Sequence, residues 1–445
     1  MSESVLEALR LSLDADDLGA AAELLADVAP QEVAAMLNHL PHEQPAVAFR
    51  LLAKSQALEA FESLDRAAKR ELVTRLGERE VRDVFAALDP DDRVELLDEL
   101  PASVASTLLR AVPEKARGAM NVVLGYPRGS IGRRMSPEFV HVRPEDTLET
   151  ALARVRARGE ESETIYTVPV ADESRRLAGV VSLRDLFLPP GTDIVADHMV
   201  RPMFAYADDD AEEVARRCVE RGVLAFPILD REDRLVGLLT IDDASRIVAE
   251  ARDEDAARAG AAEPLRRPYL LTPVRTITRS RVVWLLVLGV SAILTVNVLE
   301  LFEATLEQRV ALALFIPLLT GIGGNTGSQA ATTVTRALAM GETRPRDVGK
   351  VAFKELRTGL LLGAILGTVG WVVASLVYDP GIGVVIGATL VSVCTLSATV
   401  GGTMPLLAKA VRVDPAVFST PFISTFCDAT GLIIYFSIAR AVLGL

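Results

Sequence analysis

The chain has 445 residues, half of them hydrophobic, and yet it carries a formal net charge of −13. Residues 282–445 contain 9 acidic and 10 basic side chains, which leaves 51 acidic and 37 basic side chains in residues 1–281. An acidic half is therefore joined to a nearly neutral, apolar half. The surplus of negative charge argues against a nucleic-acid partner. The three cysteines are widely spaced and the four histidines are not clustered with them, which argues against a disulfide framework and a zinc site.

Residues 1–126 show the spacing of amphipathic helices. Apolar residues recur three and four positions apart in Val94–Leu100, and Pro90, Pro101 and Pro113 follow one another at intervals of eleven and twelve residues. Short helices in series predict an acidic, all-α superhelical domain, with an irregular helical bundle as the alternative. The first 25 residues lack a basic segment followed by an apolar run, so we expect no secretory signal and a cytoplasmic amino-terminal half.

Residues 130–250 contain an internal repeat. Thr167–Phe187 aligns without gaps with Ala225–Ser245 at an offset of 58 residues. Each copy has an apolar run, an acidic turn, a second apolar run and a Ser or Thr before a helical segment. This order predicts two α+β units, which cover residues 130–190 and 191–248.

The repeat resembles a tandem pair of CBS (cystathionine-β-synthase) domains. In that family a Gly-x-x-Ser/Thr-x-x-Asp pattern often contacts adenine nucleotides, and both copies contain it. The resemblance makes ATP a candidate ligand of four residues, although the capping of helices demands the same residue types. These residues are Ser182, Asp185, Thr240 and Asp243.

The apolar half contains five segments long enough to cross a hydrocarbon core, which needs about 20 helical residues. Basic residues concentrate before the first segment and after the second and fourth. We therefore expect a multi-pass protein of the plasma membrane with its amino terminus in the cytoplasm and its carboxy terminus outside. The predicted all-α membrane domain covers 281–445, with helices at about 282–302, 310–335, 357–378, 382–408 and 415–441.

Asp428 is the only charged residue within the fifth apolar stretch, Pro415–Ala439, and we expect it near the middle of the bilayer. An Asp at that depth costs about 2.5 to 3.5 kcal/mol on insertion scales, and no basic residue lies at a similar depth to pair with it. The carboxylate is tolerable beside a wet cavity or a passing cation. The alternative is a protonated Asp that is hydrogen-bonded to a neighbouring helix. Ser424, one turn earlier, shares its helix face.

The second segment combines four glycines and a proline with a polar run that begins at Asn325. We expect Gly321–Gly324 to distort or break the helix, because non-helical backbone at membrane depth can supply carbonyl ligands. The alternative is close helix packing through small residues. Oxygen ligands and one deep carboxylate favour a hard cation, Mg²⁺ before Ca²⁺ or Mn²⁺. A two-fold dimer would bring two Asp428 carboxylates together across its axis.

Taken in order, the acidic helical domain, the CBS pair, a basic-flanked linker and five apolar segments resemble the MgtE family of magnesium channels. The most specific features are the segment Pro317–Gln329, which ends in Gly-Ile-Gly-Gly-Asn-Thr-Gly-Ser-Gln, and the acid at Asp428. The resemblance implies a homodimeric, Mg²⁺-selective channel for Mg²⁺ uptake and no enzymatic activity. Its pore would be lined by the second and fifth segments, where Asp428, Ser424 and Asn325 meet the hydrated ion.

The resemblance also implies that cytosolic Mg²⁺ closes the pore by binding between acidic faces, and that a plug helix connects the halves over 249–280. Six acidic and two basic residues between Asp242 and Asp255 support such a sensor, because like charges repel unless divalent ions screen them. Asp92 is an alternative to Asp91, and Arg246 stands where an acid is often found. The regulatory metal ligands so implied are Asp91, Glu95, Asp210, Glu212, Asp243, Glu254, Asp255 and Asp414.

Other functions stay open as alternatives. One is a transporter of a broader set of divalent cations, with Co²⁺ and Mn²⁺ among them, and another is a CBS-regulated membrane protein that senses nucleotide. A regulated anion channel would need cationic sites in the membrane half, where the sequence offers Asp428. No histidine lies beyond His198, which excludes a Ser–His hydrolase site in that half.

Overall fold

The structure is a computed structural model that describes residues 3–41, 44–64, 66–100, 104–105, 108–109, 112, 114–265, 269–411 and 420–445. The chain forms two compact units. The acidic unit extends to Arg252 and includes a short segment that ends at Thr272, and the apolar unit comprises Asp253–Leu265 and Pro273–Leu445. The helices and strands confirm the predicted combination of an all-α amino-terminal region, an α+β pair and an all-α apolar region.

The amino-terminal region consists of short helices in series. Asp17 caps the second helix by accepting a bond from the backbone N–H of Ala20 at 3.0 Å. Pro30 and Pro90 begin later helices, at the position where a missing N–H leaves no helical bond unmade. The apolar faces enclose one core. The helices are α1 (Glu3–Asp14), α2 (Leu18–Ala26), α3 (Pro30–His39), α4 (Gln44–Arg50), α5 (Lys54–Glu62), α6 (Arg66–Arg75), α7 (Glu78–Ala87), α8 (Pro90–Glu99) and α9 (Glu114–Leu124).

The internal repeat folds into two small sheets with matching hairpins. In each hairpin a turn aspartate accepts bonds from the backbone N–H groups two and four residues further on, at 2.8 to 2.9 Å for Asp172 and for Asp230. The offset of 58 residues therefore holds at the level of single hydrogen bonds. The antiparallel hairpins are β1 (Thr167–Ala171) with β2 (Leu177–Ser182) and β4 (Ala225–Leu229) with β5 (Leu235–Thr240), and β3 (Ala205–Tyr206) pairs parallel to β4.

The two units of the repeat contact each other through two methionines, each of which packs against a glycine of the other unit. A Cβ on Gly237 in the second unit would lie 2.6 Å from Sδ of Met135 in the first unit. A Cβ on Gly179 would likewise lie 2.8 Å from Sδ of Met199. Only glycine leaves room for these contacts. The helices of the pair are α10 (Leu148–Arg158), α11 (Leu183–Phe187), α12 (Val195–His198), α13 (Ala211–Arg221) and α14 (Ile241–Ala259).

The stretch predicted as a plug helix, 249–280, is divided between the ends of two helices. The last helix of the CBS pair, α14, continues to Ala259, and Ala261 then adopts a positive φ of 52°. The next long helix begins directly after Pro273. A proline disfavours helical backbone in the residue before it, so this start is set by the local sequence.

The apolar unit contains the five predicted spans as helices that are long and apolar enough to cross a membrane. The first and third begin earlier than expected, because helical geometry continues through the basic residues before each apolar stretch. A short helix follows the first span. These helices are α15 (Val274–Leu301), α16 (Glu303–Gln308), α17 (Ile316–Ala339), α18 (Val348–Val377), α19 (Pro380–Ala410) and α20 (Thr420–Leu443).

Glycines set the distance between α18 and α19. A Cβ on Gly363 would lie 2.7 Å from Cα of Val391, and one on Gly367 would lie 2.7 Å from the carbonyl oxygen of Gly387. The two backbones therefore touch, as in other membrane helix pairs that pack through small residues. This contact places α19 where it also supports α17, the helix that carries the polar segment.

Candidate functional site

A polar cavity of about 280 Å³ lies between α17 and α20 in the apolar unit. Its lining residues on α17 are spaced by three, four, seven and eight positions, so they share one face of the helix. Those on α20 are one turn apart. The lining residues are Pro317, Thr320, Gly321, Gly324, Asn325, Ser424 and Asp428.

The three residues expected to meet the ion, Asp428, Ser424 and Asn325, all line this cavity. The side chain of Asp428 is half-buried, and in the part of the chain that the structure describes its carboxylate has neither a hydrogen-bond donor nor a basic partner. The described residues therefore offer no hydrogen-bond partner for the alternative interpretation, in which a protonated Asp is hydrogen-bonded to a neighbouring helix. A carboxylate in this environment is stable where water or a cation reaches it.

Asp428 lies on α20, fifteen residues before Leu443. The residues directly before Thr420 lie outside the described part of the chain, so the position of Asp428 near the middle of its span stays a prediction. The helix continues past Ala439 because Arg440 is accommodated, with its guanidinium 4.7 Å from the ring centre of Phe302.

The expected distortion of the second span at Gly321–Gly324 is wrong, because α17 is a continuous α-helix. Its glycines instead allow two neighbouring helices to approach. A Cβ on Gly323 would lie 2.6 Å from Cγ1 of Val393, and one on Gly327 would lie 2.9 Å from Sγ of Cys427. Close packing through small residues, the alternative interpretation, is what the structure shows.

The described residues that line the cavity offer oxygen ligands to an ion: a carboxylate, hydroxyls and an amide oxygen. Oγ of Ser424 lies 3.2 Å from Oγ of Ser328. A Cβ on Gly324 would lie 3.2 Å from Oγ of Ser424 and 3.5 Å from Oδ1 of Asp428, so a side chain there would project into the cavity against both groups. Six water molecules occupy roughly 180 Å³ at about 30 Å³ each. The cavity can therefore hold a hydrated cation beside one negative charge.

In the acidic unit, Asp91 is buried, and the partly buried carboxylates of Asp243 and Glu163 lie close enough to raise its pKa; we call these three carboxylates the acid pocket. Oδ1 of Asp91 is buried without a hydrogen-bond partner among the described residues. Burial and the carboxylate of Asp243 raise the pKa of Asp91 well above its ordinary value. Burial, with Asp243 and Asp89 nearby, raises the pKa of Glu163 to about 8. Burial also raises the pKa of Asp243 to about 6, although Arg246 opposes this.

Glu95 and Asp92 lie on the same helix as Asp91 but contact basic side chains instead. Nζ of Lys69 lies 3.2 Å from Oδ1 of Asp92. Nη2 of Arg134 lies 3.7 Å from Oε1 of Glu95. Of the two alternatives weighed from the sequence, Asp91 has the free carboxylate oxygen and Asp92 is already paired.

The other predicted metal ligands make local contacts or fall outside the described residues. Asp210 caps α13 by accepting a bond from the backbone N–H of Glu213 at 3.0 Å. Glu212 pairs with Arg216 and Glu254 pairs with Arg258, each one turn further along its own helix. Asp255 lies on α14, and Asp414 lies outside the described residues.

The four candidate nucleotide ligands form capping contacts in both copies of the repeat. Oγ of Ser182 donates to Oδ2 of Asp185 at 2.6 Å and accepts from its backbone N–H at 3.1 Å. Oγ1 of Thr240 donates to Oδ2 of Asp243 at 3.0 Å. The residue types of the pattern are therefore used by the fold itself.

Sequence reasoning missed Glu163 as a member of the acid pocket. Its signal is the insertion of about six residues near Gly159–Glu163, where the first copy of the repeat departs from the second. It also missed Glu62, whose pKa is raised to about 7 by burial and by the carboxylate of Asp92. Among the described residues, no group of three or more His, Cys, Asp or Glu side chains is arranged to hold a metal ion directly.

The acid pocket predicts that the stability of α8 depends on pH. In the folded chain Asp243 and Glu163 keep their protons up to pH values of about 6 and about 8, whereas in the unfolded chain they lose them near 3.8 and 4.5. The folded state therefore binds more protons between these values, and its stability falls as the pH rises from about 4 to about 8. We expect less protection of the α8 amides from hydrogen exchange at pH 8 than at pH 6.

A divalent ion should reverse this loss of protection at pH 8 more than at pH 6, because it competes with protons for the same carboxylates. Hydrogen exchange of the full chain, corrected for the intrinsic rate at each pH, measures both effects. The peptide that covers α2, Leu18–Ala26, is the internal control, because this helix contributes no residue to the acid pocket. Equal corrected protection of α8 at both pH values would contradict the prediction.

Three family models match the chain. The intracellular N domain of MgtE matches residues 28–129, the CBS domain matches residues 129–188 and 195–250, and a divalent cation transporter model, also of MgtE, matches residues 316–438. The magnesium transporter MgtE of Thermus thermophilus is 33% identical over 100% of this chain and 99% of its own length. The magnesium transporter MgtE of Bacillus subtilis is 28% identical over 93% of this chain and 92% of its own length.

Among solved structures, the cytosolic domain of the Mg²⁺ channel MgtE in complex with ATP is similar to this chain. It is 31% identical, with a TM-score of 0.51, and the match covers 54% of this chain and 99% of that domain. The likeness therefore concerns the acidic, amino-terminal part of the chain.

Proposed function

The chain belongs to the MgtE family of transporters, and from this membership we propose that it carries Mg²⁺ across a membrane through the cavity at Asp428. The proposal makes it a channel or transporter for Mg²⁺ uptake and not an enzyme. The observation that carries it is the half-buried carboxylate of Asp428, which faces a cavity lined by oxygen atoms in an otherwise apolar helix bundle.

Selection would act on the hydrated ion. Mg²⁺ gives up its water reluctantly, so a site that replaced all six waters would hold it at a high dehydration cost. In this cavity the carboxylate of Asp428 would attract the ion, while the hydroxyl of Ser424 and the amide oxygen of Asn325 would accept hydrogen bonds from its waters. Gly324 keeps the necessary space free.

Orientation and assembly are part of the proposal. The basic residues of the connections favour a cytoplasmic acidic unit and an external carboxy terminus in the plasma membrane. The helices α15 and α18 leave most of their apolar surface uncovered within one chain. A two-fold homodimer would cover part of this surface and bring two Asp428 carboxylates to one pathway, matching the charge of the ion. Chemical cross-linking in the membrane is the direct measurement, and only monomers would remove this part.

We also propose that Mg²⁺ in the cytoplasm inhibits transport by binding to the acidic unit. The buried oxygen of Asp91, which has no hydrogen-bond partner among the described residues, supports a cation there, as do the carboxylates of Asp243 and Glu163, which lie close enough to raise the pKa of Asp91. The ion would keep several waters, so the carboxylates need not contact it directly. Because α14 belongs in sequence to both units, a change at its start in the CBS pair has a covalent route toward the spans.

ATP is a candidate ligand of the CBS pair. Its support is the ATP complex of a similar cytosolic domain together with the repeated Ser–Asp and Thr–Asp pairs at Ser182, Asp185, Thr240 and Asp243. ATP binding would be a regulatory function of the acidic unit, separate from transport.

The experiment that tests the proposed transport is a comparison of ion flux with Mg²⁺, Ca²⁺, Mn²⁺ and Co²⁺ into proteoliposomes that contain the full chain. We expect flux of Mg²⁺ to exceed that of Ca²⁺, because Ca²⁺ takes more ligands at longer distances and sheds its water more readily. Equal flux of Mn²⁺ or Co²⁺ would establish the broader divalent cation transporter instead. Absence of flux for all four ions would leave a nucleotide-sensing membrane protein as the remaining function.

A further inference from the structure

One arginine joins the CBS pair to the amino-terminal helices. Arg246 lies on α14, and its Nη2 is 2.6 Å from Oδ1 of Asp243 on the same helix. The same nitrogen lies 3.5 Å from Oδ1 of Asp92 and 3.8 Å from Oε2 of Glu95, both on α8. Nη1 donates to the backbone oxygen of Glu62, at the end of α5, at 3.4 Å. A single guanidinium therefore contacts three helices.

Arg246 is one of three arginines of the CBS pair that contact acids along one face of α8, and it is the one furthest from its α8 partners in sequence. Three acids on this helix, spaced by three residues, each meet an arginine from the CBS pair. Arg134 lies 3.7 Å from Glu95, and Arg133 donates to both carboxylate oxygens of Asp98 at 3.0 and 3.1 Å from its Nη2. We call Arg133, Arg134 and Arg246 the arginine clasp.

The contacts of Arg246 are partly buried, so they are not ordinary surface ion pairs. The side chains of Asp92 and Glu95 are 10% and 7% exposed, and that of Arg246 is 28% exposed. Charges in such positions are screened weakly by salt, and removal of one partner leaves the others uncompensated. Lys69 adds a second cation beside Asp92. The carboxylates of this interface therefore already have fixed counter-ions.

The acid pocket, to which α8 contributes Asp91, differs from this arrangement, although its Asp243 is itself paired with Arg246. There Oδ1 of Asp91 is buried without a partner in the described residues, and Glu163 has its pKa raised because burial and further carboxylates surround it. α8 therefore carries two kinds of acid. Asp91 has a carboxylate oxygen to which a mobile cation can bind, whereas the acids that contact the arginine clasp are already neutralised by arginines of the chain.

We propose that Arg246 is a tethered cation that keeps the amino-terminal helices docked on the CBS pair when no divalent ion is present. One consequence of this inference rests on the proposed function. If Mg²⁺ inhibits transport, the inhibition would arise at the acid pocket and not from opening and closing of this interface. Docking itself is a property of the acidic unit and can be measured without transport.

The test measures the distance between spin labels on the full chain in detergent, at Arg82→Cys on α7 and Glu220→Cys on α13. Both positions are exposed, and the native cysteines are buried. With Arg246 present we expect the same single distance between the labels in a saturating excess of Mg²⁺ and after chelation. In Arg246→Gln, chelation should lower the ratio of docked to undocked molecules by about tenfold or more, and Mg²⁺ should restore it.

Arg252→Gln is the matched control, because it removes one positive charge from an exposed position on the same helix. It should behave as the unchanged chain, and Arg246→Lys should fall between the two. Asp92→Asn removes the partner from the other side and should repeat the loss of docking, which guards against a folding defect of Arg246→Gln. Separation of the unchanged chain on chelation, or full docking of both variants without Mg²⁺, would overturn the proposal.

The outcome is independent of the transport experiments. If no ion flux were found, the proposed function would fail while the distances would still decide whether Arg246 holds the interface. If flux and inhibition were found but Arg246→Gln stayed docked after chelation, only the tethered cation would be refuted.

Discussion

Replacement of Asp428 with alanine should lower Mg²⁺ flux into proteoliposomes by about a hundredfold or more. Among the described residues, the carboxylate of Asp428 is the only formal charge that lines the cavity. A pair of unit charges about 4 Å apart is worth roughly 4 kcal/mol near a protein surface, and each factor of ten corresponds to about 1.4 kcal/mol. Even with screening by the waters of the ion, loss of this attraction removes about two factors of ten. Uptake of Mg²⁺ followed by an internal dye measures it.

Two further variants separate charge from shape. Asp428→Asn keeps the size of the side chain and should lose nearly as much flux as alanine. Ser437→Ala, on the same helix, removes an exposed hydroxyl that donates only to the backbone oxygen of Ile433, and it should keep normal flux. Full flux in Asp428→Asn would show that the cavity does not use its charge, and the pathway would have to be sought elsewhere.

Removal of residues 1–250 should preserve Mg²⁺ flux and abolish its inhibition by cytosolic Mg²⁺. The deletion removes the acid pocket and the CBS pair, while the spans, which form a compact unit of their own, remain. Inhibition requires that the ion bind one state more tightly than another, so loss of the binding sites removes the shift. In inside-out membrane patches, we expect the open fraction in millimolar Mg²⁺ to rise by about tenfold or more relative to the full chain.

The same truncated chain with Asp428→Ala is the control for the route of the ion. It should conduct no better than the full-length Asp428→Ala variant, which would show that both chains use one cavity. A truncated chain that is still inhibited at the same Mg²⁺ concentration would refute the sensor. It would leave Glu254, Asp255 and Asp414, which the deletion spares, as the remaining candidates.

The cavity at Asp428 was predictable in its parts but not in its form. The spacing of the α17 residues and the pair Ser424 and Asp428 each mark one face of a helix, and that spacing is local information. That the two faces meet depends on glycines of α17 that lie against α19 and α20, such as Gly323 and Gly327. For the same reason the unbroken α17 could not be foreseen: glycine weakens an isolated helix, and only its neighbours turn this weakness into close packing.

The ligands of the acidic unit were the least predictable part. From the sequence, Asp91, Asp92 and Glu95 are equivalent acids on one helix. The structure separates them, because Lys69 and Arg246 reach two of them and leave a carboxylate oxygen of Asp91 buried without a partner in the described residues. Arg246 is 154 residues away from Asp92 in the sequence. A pattern of neighbouring residues cannot predict a contact between positions so far apart.

By itself, the sequence of this protein determined its division into an acidic and an apolar half, its repeat and its five spans. These follow from periodicity and from the bilayer's demand for about 20 apolar residues, and both act over short stretches of chain. Only the tertiary structure decided which charges are paired and which are not. The energy of a charge depends on burial and on partners a few ångströms away, and folding brings those partners from anywhere in the chain.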